Sequence, residues 1–279
     1  MSIINAYNLE LVKRIASFAE WERFFLSNPI TDPKLINTLV DRIKKQGFLC
    51  SFSGGKVEPG LFNVQSANYR EDFLYNGLNS RLRAVICELN KVVAEKGDND
   101  IRIYAPEAVT PFALLLRGRY PRFLGSEYSD DQLVRDGLFP ILCEDLLSLS
   151  FSDSAFDVVV INDVFEHVPD IDKCLEELAR VIVPGGKLIS TFPFNMGADE
   201  SVVKARLTDS GIEHLTEPEY HGNPVDPQGS LVFEIPGWDI LGRAQAAGWR
   251  KVEIVYHHSA KYGIISNGFS GIFTLVAEK

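Results

Sequence analysis

Polar side chains follow a long apolar run near the middle of the chain. The run, Phe156 to Ile161, is rich in valine, which favours a strand buried on both faces of a parallel sheet. Asn162, Asp163, Glu166 and His167 come directly after it. Ligands of open α/β sheets bind at the carboxyl ends of the strands. This edge is therefore the first candidate for a binding site.

A helix and a second strand are predicted to hold this edge in place. Asp170 is the predicted N-cap, and apolar side chains recur at helical spacing from there to Ile182. Pro184-Gly185-Gly186 is predicted to end the helix, and residues 187–193 to form the next strand. A β-α-β unit of this type builds a parallel sheet.

The rest of the chain falls into two parts. Residues 99–279 are predicted to be a doubly wound, mostly parallel, seven-stranded α/β domain. Its further strands are expected at 101–105, 122–125, 139–143, 252–256 and 271–277, and its further helices from 111 and over 236–248. Residues 1–98 are predicted to be a mainly helical appendage, with helices at 8–27, 32–45 and 80–97 and irregular or short β structure at 48–78.

Composition limits the partners. The 279 residues are 46% apolar, and the formal net charge is −10. Nucleic acids and anionic membranes attract basic surfaces, so neither is expected, and a small-molecule partner is favoured. Four widely spaced cysteines without a CxxC pair are expected to be reduced, although the sequence alone leaves a disulfide open. With no signal-peptide pattern and no long apolar run, a cytoplasmic chain is expected, and a homodimer is one of the oligomeric states left open.

Four motifs, in order, resemble the central half of class I S-adenosylmethionine-dependent methyltransferases, closest to the type 11 group. The resemblance covers about residues 101–279 and is most specific over 123–193. The motifs are Asp145–Phe151 (DLLSLSF), Ser154–Asp157 (SAFD), Asn162–Asp170 (NDVFEHVPD) and Arg180–Gly186 (RVIVPGG).

The resemblance implies S-adenosyl-L-methionine as cofactor and assigns residues to it. Glu127, followed by Tyr128, matches the acidic position used for the ribose hydroxyls. Asp145 matches the acidic position near the adenine amine, and Leu146 would supply backbone contacts. The segment Asn162, Asp163 and Val164 would line the sulfonium end. A lone acidic residue after a strand is ordinarily a helix cap or a solvated loop residue, but two at the matching strand ends favour a site.

The first loop departs from the family. Members typically carry an acidic residue and a GxGxG loop after the first strand, whereas residues 105–110 read Ala-Pro-Glu-Ala-Val-Thr. This loop resembles an "APE" subgroup that is often preceded by a Cys-rich ribbon, and the likeness then extends from about residue 48. The ribbon cysteines are missing except for Cys50, so no metal site is expected.

Two interpretations of the loop remain open. In the first, Ala105, Pro106 and Glu107 hold the amino-acid tail of the cofactor, while Arg70, Arg81 or Arg83 reaches its carboxylate. In the second, the loop has degenerated and the cofactor binds poorly or not at all. The arginines could equally be solvated charges on a helix face.

The acceptor side is expected in a lid insertion at about residues 195–235. Connections of this length in a compact domain are usually functional or mobile. His167 and His221 are the candidate catalytic bases, and His214, His221, Asn223 and Arg70 the candidate substrate contacts. A helix-entry or other structural role is an equal alternative for both catalytic histidines.

The expected function is methyl transfer from S-adenosylmethionine to a small molecule, such as a sugar or a secondary metabolite. Hydroxyl, amine and carboxyl acceptors all fit. The alternatives are another reaction of the same cofactor and a non-catalytic interaction protein.

Overall fold

The computed structural model describes residues 9–97 and 99–279. It divides into two compact units: unit 1 contains the chain up to Lys91 together with Glu253–Leu275, and unit 2 contains Val92–Val252 and Val276–Lys279. Asn8, where the first helix was predicted to start, lies outside the described residues. The predicted boundary between residues 98 and 99 remains a prediction.

The described residues form helices and strands in the following chain order. The helices are α1 (Phe18–Ser27), α2 (Pro33–Gln46), α3 (Ser80–Lys96), α4 (Pro111–Arg119), α5 (Gln132–Leu138), a 3₁₀ helix (Phe165–His167), α6 (Ile171–Val181) and α7 (Ile240–Ala246). The strands are β1 (Glu10–Ile15), β2 (Phe48–Leu49), β3 (Lys56–Val57), β4 (Ile103–Ala105), β5 (Phe123–Glu127), β6 (Leu142–Cys143), β7 (Phe156–Asn162), β8 (Ile182–Thr191), β9 (Val202–Val203), β10 (Ala205–Thr208), β11 (Gly211–His214), β12 (Tyr220–His221), β13 (Ser230–Leu231), β14 (Glu234–Ile235), β15 (Lys251–Ser259) and β16 (Ile272–Glu278).

Unit 1 corrects one prediction. The predicted helix over 8–27 is wrong for residues 10–15, which form β1 and pair antiparallel with β15 from Glu10↔Ser259 to Ile15↔Ile254. The helix α1 begins only after its N-cap Ser17, whose hydroxyl accepts the Glu20 amide at 3.3 Å. A distant strand supplies the backbone partners for this segment, so its apolar spacing did not decide its structure. This strand adds to the seven that the sequence predicted.

Unit 2 confirms the predicted α/β class. Its strands lie side by side in the order β8-β7-β4-β5-β6, and each neighbouring pair among them is parallel. All seven residues of β7 are buried, as the valine-rich run indicated. The side chain of Asp170 caps α6 by accepting the Lys173 amide at 3.0 Å. The carboxyl ends of these five neighbouring strands therefore share one edge.

The turn between α6 and β8 differs from the prediction. The helix ends at Val181, and β8 begins at once with Ile182, so Pro184-Gly185-Gly186 lies within the strand. Pairing with β7 jumps from Phe156↔Ile182 to Val158↔Lys187, which makes this segment a bulge. A Cβ on Gly186 would lie 2.7 Å from the Asp157 carbonyl oxygen, so only glycine fits the bulge there.

Other elements of unit 2 differ in length. The strand predicted at 139–143 is confined to β6, the helix predicted at 236–248 is confined to α7, and α5 was not predicted. The insertion at 195–235 consists largely of short antiparallel pairs, β10 with β11, β12 with β13 and β9 with β14. In the part of the chain that the structure describes, every helix is too short or too polar to cross a bilayer.

The base of β7 is fixed by ion pairs. The Asp157 carboxylate accepts hydrogen bonds from Arg102 Nε at 3.0 Å, Arg102 Nη2 at 3.1 Å and Lys96 Nζ at 2.9 Å. Burial alone would raise the pKa of this carboxyl, but the hydrogen bonds from Arg102 and Lys96 outweigh it and lower the pKa well below its usual range. Asp157 is thus a structural anchor at the amino end of the strand.

Candidate functional site

The ends of β4 and β7 are joined by a buried polar contact. Glu107 follows β4, and its carboxylate accepts a hydrogen bond from Asn162 Nδ2 at the end of β7. The second carboxylate oxygen of Glu107 accepts from the Thr110 hydroxyl at 3.0 Å. Both Glu107 and Asn162 are buried. The structure therefore brings together two of the residues that the sequence assigned to the cofactor.

Glu127 ends the neighbouring strand β5 and is 6% exposed. Its Oε1 accepts the backbone amide of Val109 at 2.9 Å, so the loop after β4 lies against it. Burial raises the pKa of this carboxyl, and the hydrogen bonds from Val109 and Ala108 offset part of the increase. Glu107 and Glu127 thus place two buried carboxyl groups beside one loop.

The loop without glycine is ordered by its contacts with β5. The Ala108 amide donates to the Ser126 carbonyl oxygen at 3.0 Å, and the Thr110 hydroxyl caps α4 by accepting the Ala113 amide at 3.1 Å. A Cβ on Gly125 would meet Ala108 at 3.0 Å. The glycine in the adjoining strand therefore lets the loop pack closely against β5.

Asp145 and Tyr128 are more exposed. Asp145 Oδ1 accepts the Leu147 amide at 2.8 Å, and Leu146 between them is buried. Burial and then the charges of Asp145 and Asp130 raise the pKa of Tyr128, which indicates that the Asp145 carboxylate lies near the phenol. An exposed aromatic ring beside a carboxylate can stack on a planar heterocycle and bind its amino group.

The turn after β7 is bent sharply at Asp163. This residue has φ of 50°, in the left-handed region that non-glycine residues rarely adopt, and its amide donates to the Thr191 carbonyl oxygen at 2.7 Å. Val164 follows as the residue before the 3₁₀ helix. Strain of this kind is concentrated at functional sites. The bend directs the chain from Asn162 into Glu166 and His167.

Glu166, His167 and His221 form a group that we call the His–Glu cluster. Glu166 Oε1 lies 3.6 Å from His167 Nε2 and 3.5 Å from His221 Nδ1. The two imidazole rings meet edge to face, with centroids 5.1 Å apart. His167 comes from the 3₁₀ helix and His221 from β12, so the fold joins the two predicted catalytic histidines.

Each histidine has an outer hydrogen-bond partner. His167 Nδ1 lies 2.9 Å from the Leu231 carbonyl oxygen, and His221 Nε2 lies 3.1 Å from Glu219 Oε1. Glu219 also forms an ion pair with Lys204. The Glu166 carboxylate raises the pKa of His221, burial opposes this increase, and Glu219 adds to it. His221 therefore keeps its proton to a higher pH than an ordinary histidine.

The remaining predicted residues have other contacts. His214 is exposed at the end of β11, opposite Ala205. The Asn223 side chain accepts the Val225 amide at 2.8 Å and donates to the Ser230 hydroxyl at 2.9 Å, as a turn residue does. Within unit 1, Arg70 forms an ion pair with Glu71. Their substrate-binding roles remain predictions.

The two other arginines of unit 1 are also engaged. Arg81 forms an ion pair with Glu71, with Nε 3.0 Å from Oε1. Arg83 is fully buried and donates to the carbonyl oxygens of Phe73, Leu78 and Gly263.

Sequence reasoning missed the central role of Glu166. Its carboxylate is 0% exposed, although it occupies a polar stretch that the pattern placed at a solvated sheet edge. Glu219 was also missed. The sequence signal for Glu166 was the Glu-His dipeptide within the EHVPD motif. The spacing of residues along the chain does not predict that His221 of the insertion lies next to it.

Parallel strands whose carboxyl ends carry buried acids are typical of an open α/β sheet that binds a ligand at this edge. A family model described as a methyltransferase domain, Methyltransf_11, matches residues 112–190. The match covers less than a third of the chain, and over this segment the predicted resemblance to class I S-adenosylmethionine-dependent methyltransferases is confirmed. The subgroup assignment remains a prediction, since the match begins after the altered loop.

Curated relatives match only part of the chain. A demethylmenaquinone methyltransferase from Thermus thermophilus is 49% identical over 87 residues, which cover 28% of this chain and 40% of that protein. A sarcosine/dimethylglycine N-methyltransferase from Halorhodospira halochloris is 30% identical over 104 residues, which cover 36% of this chain and 37% of that protein. The chain thus spans less than half the length of these two curated relatives.

Solved structures are similar at low identity. An S-adenosylmethionine-bound amino pentose methyltransferase from Micromonospora echinaspora superposes with a TM-score of 0.43 at 14% identity, covering 70% of this chain and 89% of that one.

The residues at the sheet edge fit the predicted cofactor, S-adenosylmethionine, which the family match supports. That molecule carries a cationic sulfonium, an ammonium group and a ribose diol. Buried Glu107 and Glu127 offer acceptors for an ammonium group and a diol, and burial raises the pKa of Glu127. A cationic ligand would relieve the cost of burying these acids.

Proposed function

We propose that the chain is an S-adenosylmethionine-dependent methyltransferase that acts on a small molecule. The observation that carries the proposal is the placement of Glu107, Glu127 and Asn162 at neighbouring strand ends, within or next to the segment that matches the methyltransferase family. When bound, the cofactor would supply a methyl group on a sulfonium, which the acceptor would take by in-line displacement while the carbon–sulfur bond breaks and the neutral thioether leaves.

The cofactor-binding roles follow from the contacts. The Glu127 carboxylate is proposed to accept the two ribose hydroxyls, because a carboxylate offers about four acceptor sites and the backbone amides leave some of them available. Glu107 is proposed to accept hydrogen bonds from the ammonium group of the cofactor's amino-acid tail, while Asn162 holds the Glu107 carboxylate in place. Asp145 and Tyr128 are proposed to bind the adenine, with Leu146 contributing backbone contacts.

The acceptor side is proposed to be formed by the segment Asp163 to His167 and by the insertion that carries His221. The Phe233 amide donates to the Glu166 carbonyl oxygen at 2.7 Å, which fixes the insertion against the 3₁₀ helix. Positioning supplies much of the rate in such a displacement, and a base is needed only if the acceptor must lose a proton. The two candidate bases, His167 and His221, both lie at this edge, next to Glu166.

The nature of the acceptor is inferred from charge and from relatives. The two curated relatives are named for methylation of demethylmenaquinone and of sarcosine and dimethylglycine. The similar solved structure is named for methylation of an amino pentose. An acidic chain with net charge −10 suits a neutral or cationic small acceptor better than a polyanion. We therefore propose a hydroxyl or amine acceptor on a small metabolite.

Labelled cofactor tests this proposal. The protein is incubated with S-adenosylmethionine carrying a deuterated methyl group and with fractionated small-molecule extracts, and mass spectrometry searches for products with the labelled methyl. Transfer that depends on Asn162 and Glu127 supports the proposal. If the cofactor binds but no fraction becomes labelled, another use of the cofactor replaces methyl transfer.

A further inference from the structure

The His–Glu cluster has the spacing of ligands around one metal ion. One donor atom from each of Glu166, His167 and His221 can be chosen so that all lie within 4.8 Å of one another. The two nitrogen-to-oxygen separations are 3.6 and 3.5 Å, too long for good hydrogen bonds. Two ligands held at about 2.1 Å from a metal at tetrahedral angles lie about 3.4 Å apart, which is close to these separations.

The buried carboxylate of Glu166 calls for a cation. The side chain is 0% exposed, and neither of its oxygens has a hydrogen-bond partner among the described residues. An ionised carboxylate buried without partners is strongly unfavourable. A proton shared between Glu166 and one imidazole would give a hydrogen bond to one carboxylate oxygen only, whereas a divalent ion would neutralise the charge of the carboxylate.

The outer contacts prepare both imidazoles as ligands. Because His167 Nδ1 faces a carbonyl oxygen, it must carry the proton, which leaves the Nε2 lone pair directed at Glu166. His221 Nε2 faces the Glu219 carboxylate, so that nitrogen would keep its proton when a metal displaces the proton from Nδ1, and Nδ1 would then supply the lone pair. Metal-binding histidines almost always donate their other N–H to a carbonyl or carboxylate in this way. Lys204 in turn fixes Glu219.

We propose that Glu166, His167 and His221 bind a divalent first-row metal ion, with coordination positions left open for an oxygen ligand. Two imidazoles and a carboxylate suit zinc, iron, cobalt or manganese better than magnesium or calcium. Three protein ligands are also typical of zinc sites that keep a position for substrate. In the proposed methyltransferase the open position suits the oxygen of a hydroxyl acceptor; this role rests on the proposed function, whereas the ion site does not.

Cobalt(II) titration of the full chain tests the site without the cofactor. After treatment with a chelator and its removal, the protein is titrated with Co²⁺ and followed by visible absorption and calorimetry. We expect one equivalent to bind with the absorption of a low-coordinate nitrogen and oxygen site. His221→Gln and Glu166→Gln should each weaken binding by about 100-fold or more, and Glu219→Gln by about 10-fold. His214→Gln, which changes an exposed imidazole of the same insertion, should leave binding unchanged.

The outcomes separate the two proposals. Absence of Co²⁺ binding to folded wild-type protein would overturn the metal site, as would binding that His221→Gln and Glu166→Gln leave unchanged. If Glu166→Gln fails to fold, the half-buried His221 still provides the test. S-adenosylmethionine binding is then measured with and without chelator: cofactor binding without metal binding removes only the metal site, and metal binding without cofactor binding removes only the methyltransferase proposal.

Discussion

The substitution Glu127→Gln isolates one carboxylate of the cofactor site. Glutamine keeps the size of the side chain, and its amide oxygen can still accept the Val109 amide that Oε1 now accepts at 2.9 Å. The charge is lost, and the second oxygen becomes a donor that cannot accept a ribose hydroxyl. Hydrogen bonds to charged groups contribute about 1.5–3 kcal/mol each, so a loss of about 2 kcal/mol is expected. This corresponds to about a 30-fold higher Kd.

Calorimetric titration measures this loss directly. Because the ribose is common to both, S-adenosylmethionine and its demethylated product should lose the same factor. Glu144→Gln is the matched control, since Glu144 is also a buried acid after a strand of the same sheet, but both its oxygens accept from Ser150. That control should bind like the wild type. An unchanged Kd for Glu127→Gln, or an equal loss for Glu144→Gln, would refute the assigned role.

Three further predictions concern the scaffold. Asp157→Asn should lower the free energy of unfolding at pH 7 by about 2 kcal/mol, because Arg102 loses a charged partner. Because the pKa of Asp157 is lowered in the folded protein, its contribution to stability is fully present above the unfolded-state pKa of about 3.9 and is lost as pH falls below that value. In denaturant titrations, the difference in unfolding free energy between variant and wild type should therefore become smaller in acid. Asp170→Ala should cost about 1 kcal/mol through loss of the helix cap, seen as a lower Tm with unchanged cofactor affinity. Gly186→Ala should lower the free energy of unfolding by about 1 kcal/mol or more, the size of the effect seen when a core is overpacked. Gly197→Ala is the control and should be tolerated, because an added Cβ there meets nothing within 4 Å. Equal effects of the two substitutions would contradict the bulge geometry.

Local signals explain why the centre of the fold was predictable. The buried valines of β7 and the Asp170 cap act within a few residues of their own position, so the sequence pattern carries them. Segment 10–15 is different, because its strand character depends on β15 near the other end of the chain. Gly186 was predicted to end a helix but lies in a bulge of β8, since glycine is common both at helix ends and in bulges.

The candidate site was predictable only in part. Glu127 and Asn162 follow recognisable strands, and their placement at one edge is a consequence of parallel topology. The meeting of Glu166 with His221 could not be predicted, because His221 lies in an insertion of short strands whose pairing has no strong pattern. A buried carboxylate without a hydrogen-bond partner among the described residues also runs against the rule that charged residues stay exposed, and such exceptions tend to mark function.

Binding of S-adenosylmethionine to the wild-type chain tests the central claim most directly. In isothermal titration calorimetry of folded protein, we expect a saturable heat that fits one site per chain, with a negative heat-capacity change as the adenosine is buried. Absence of heat at millimolar cofactor, with circular dichroism showing an intact fold, would contradict the assignment of this sheet edge as a cofactor site.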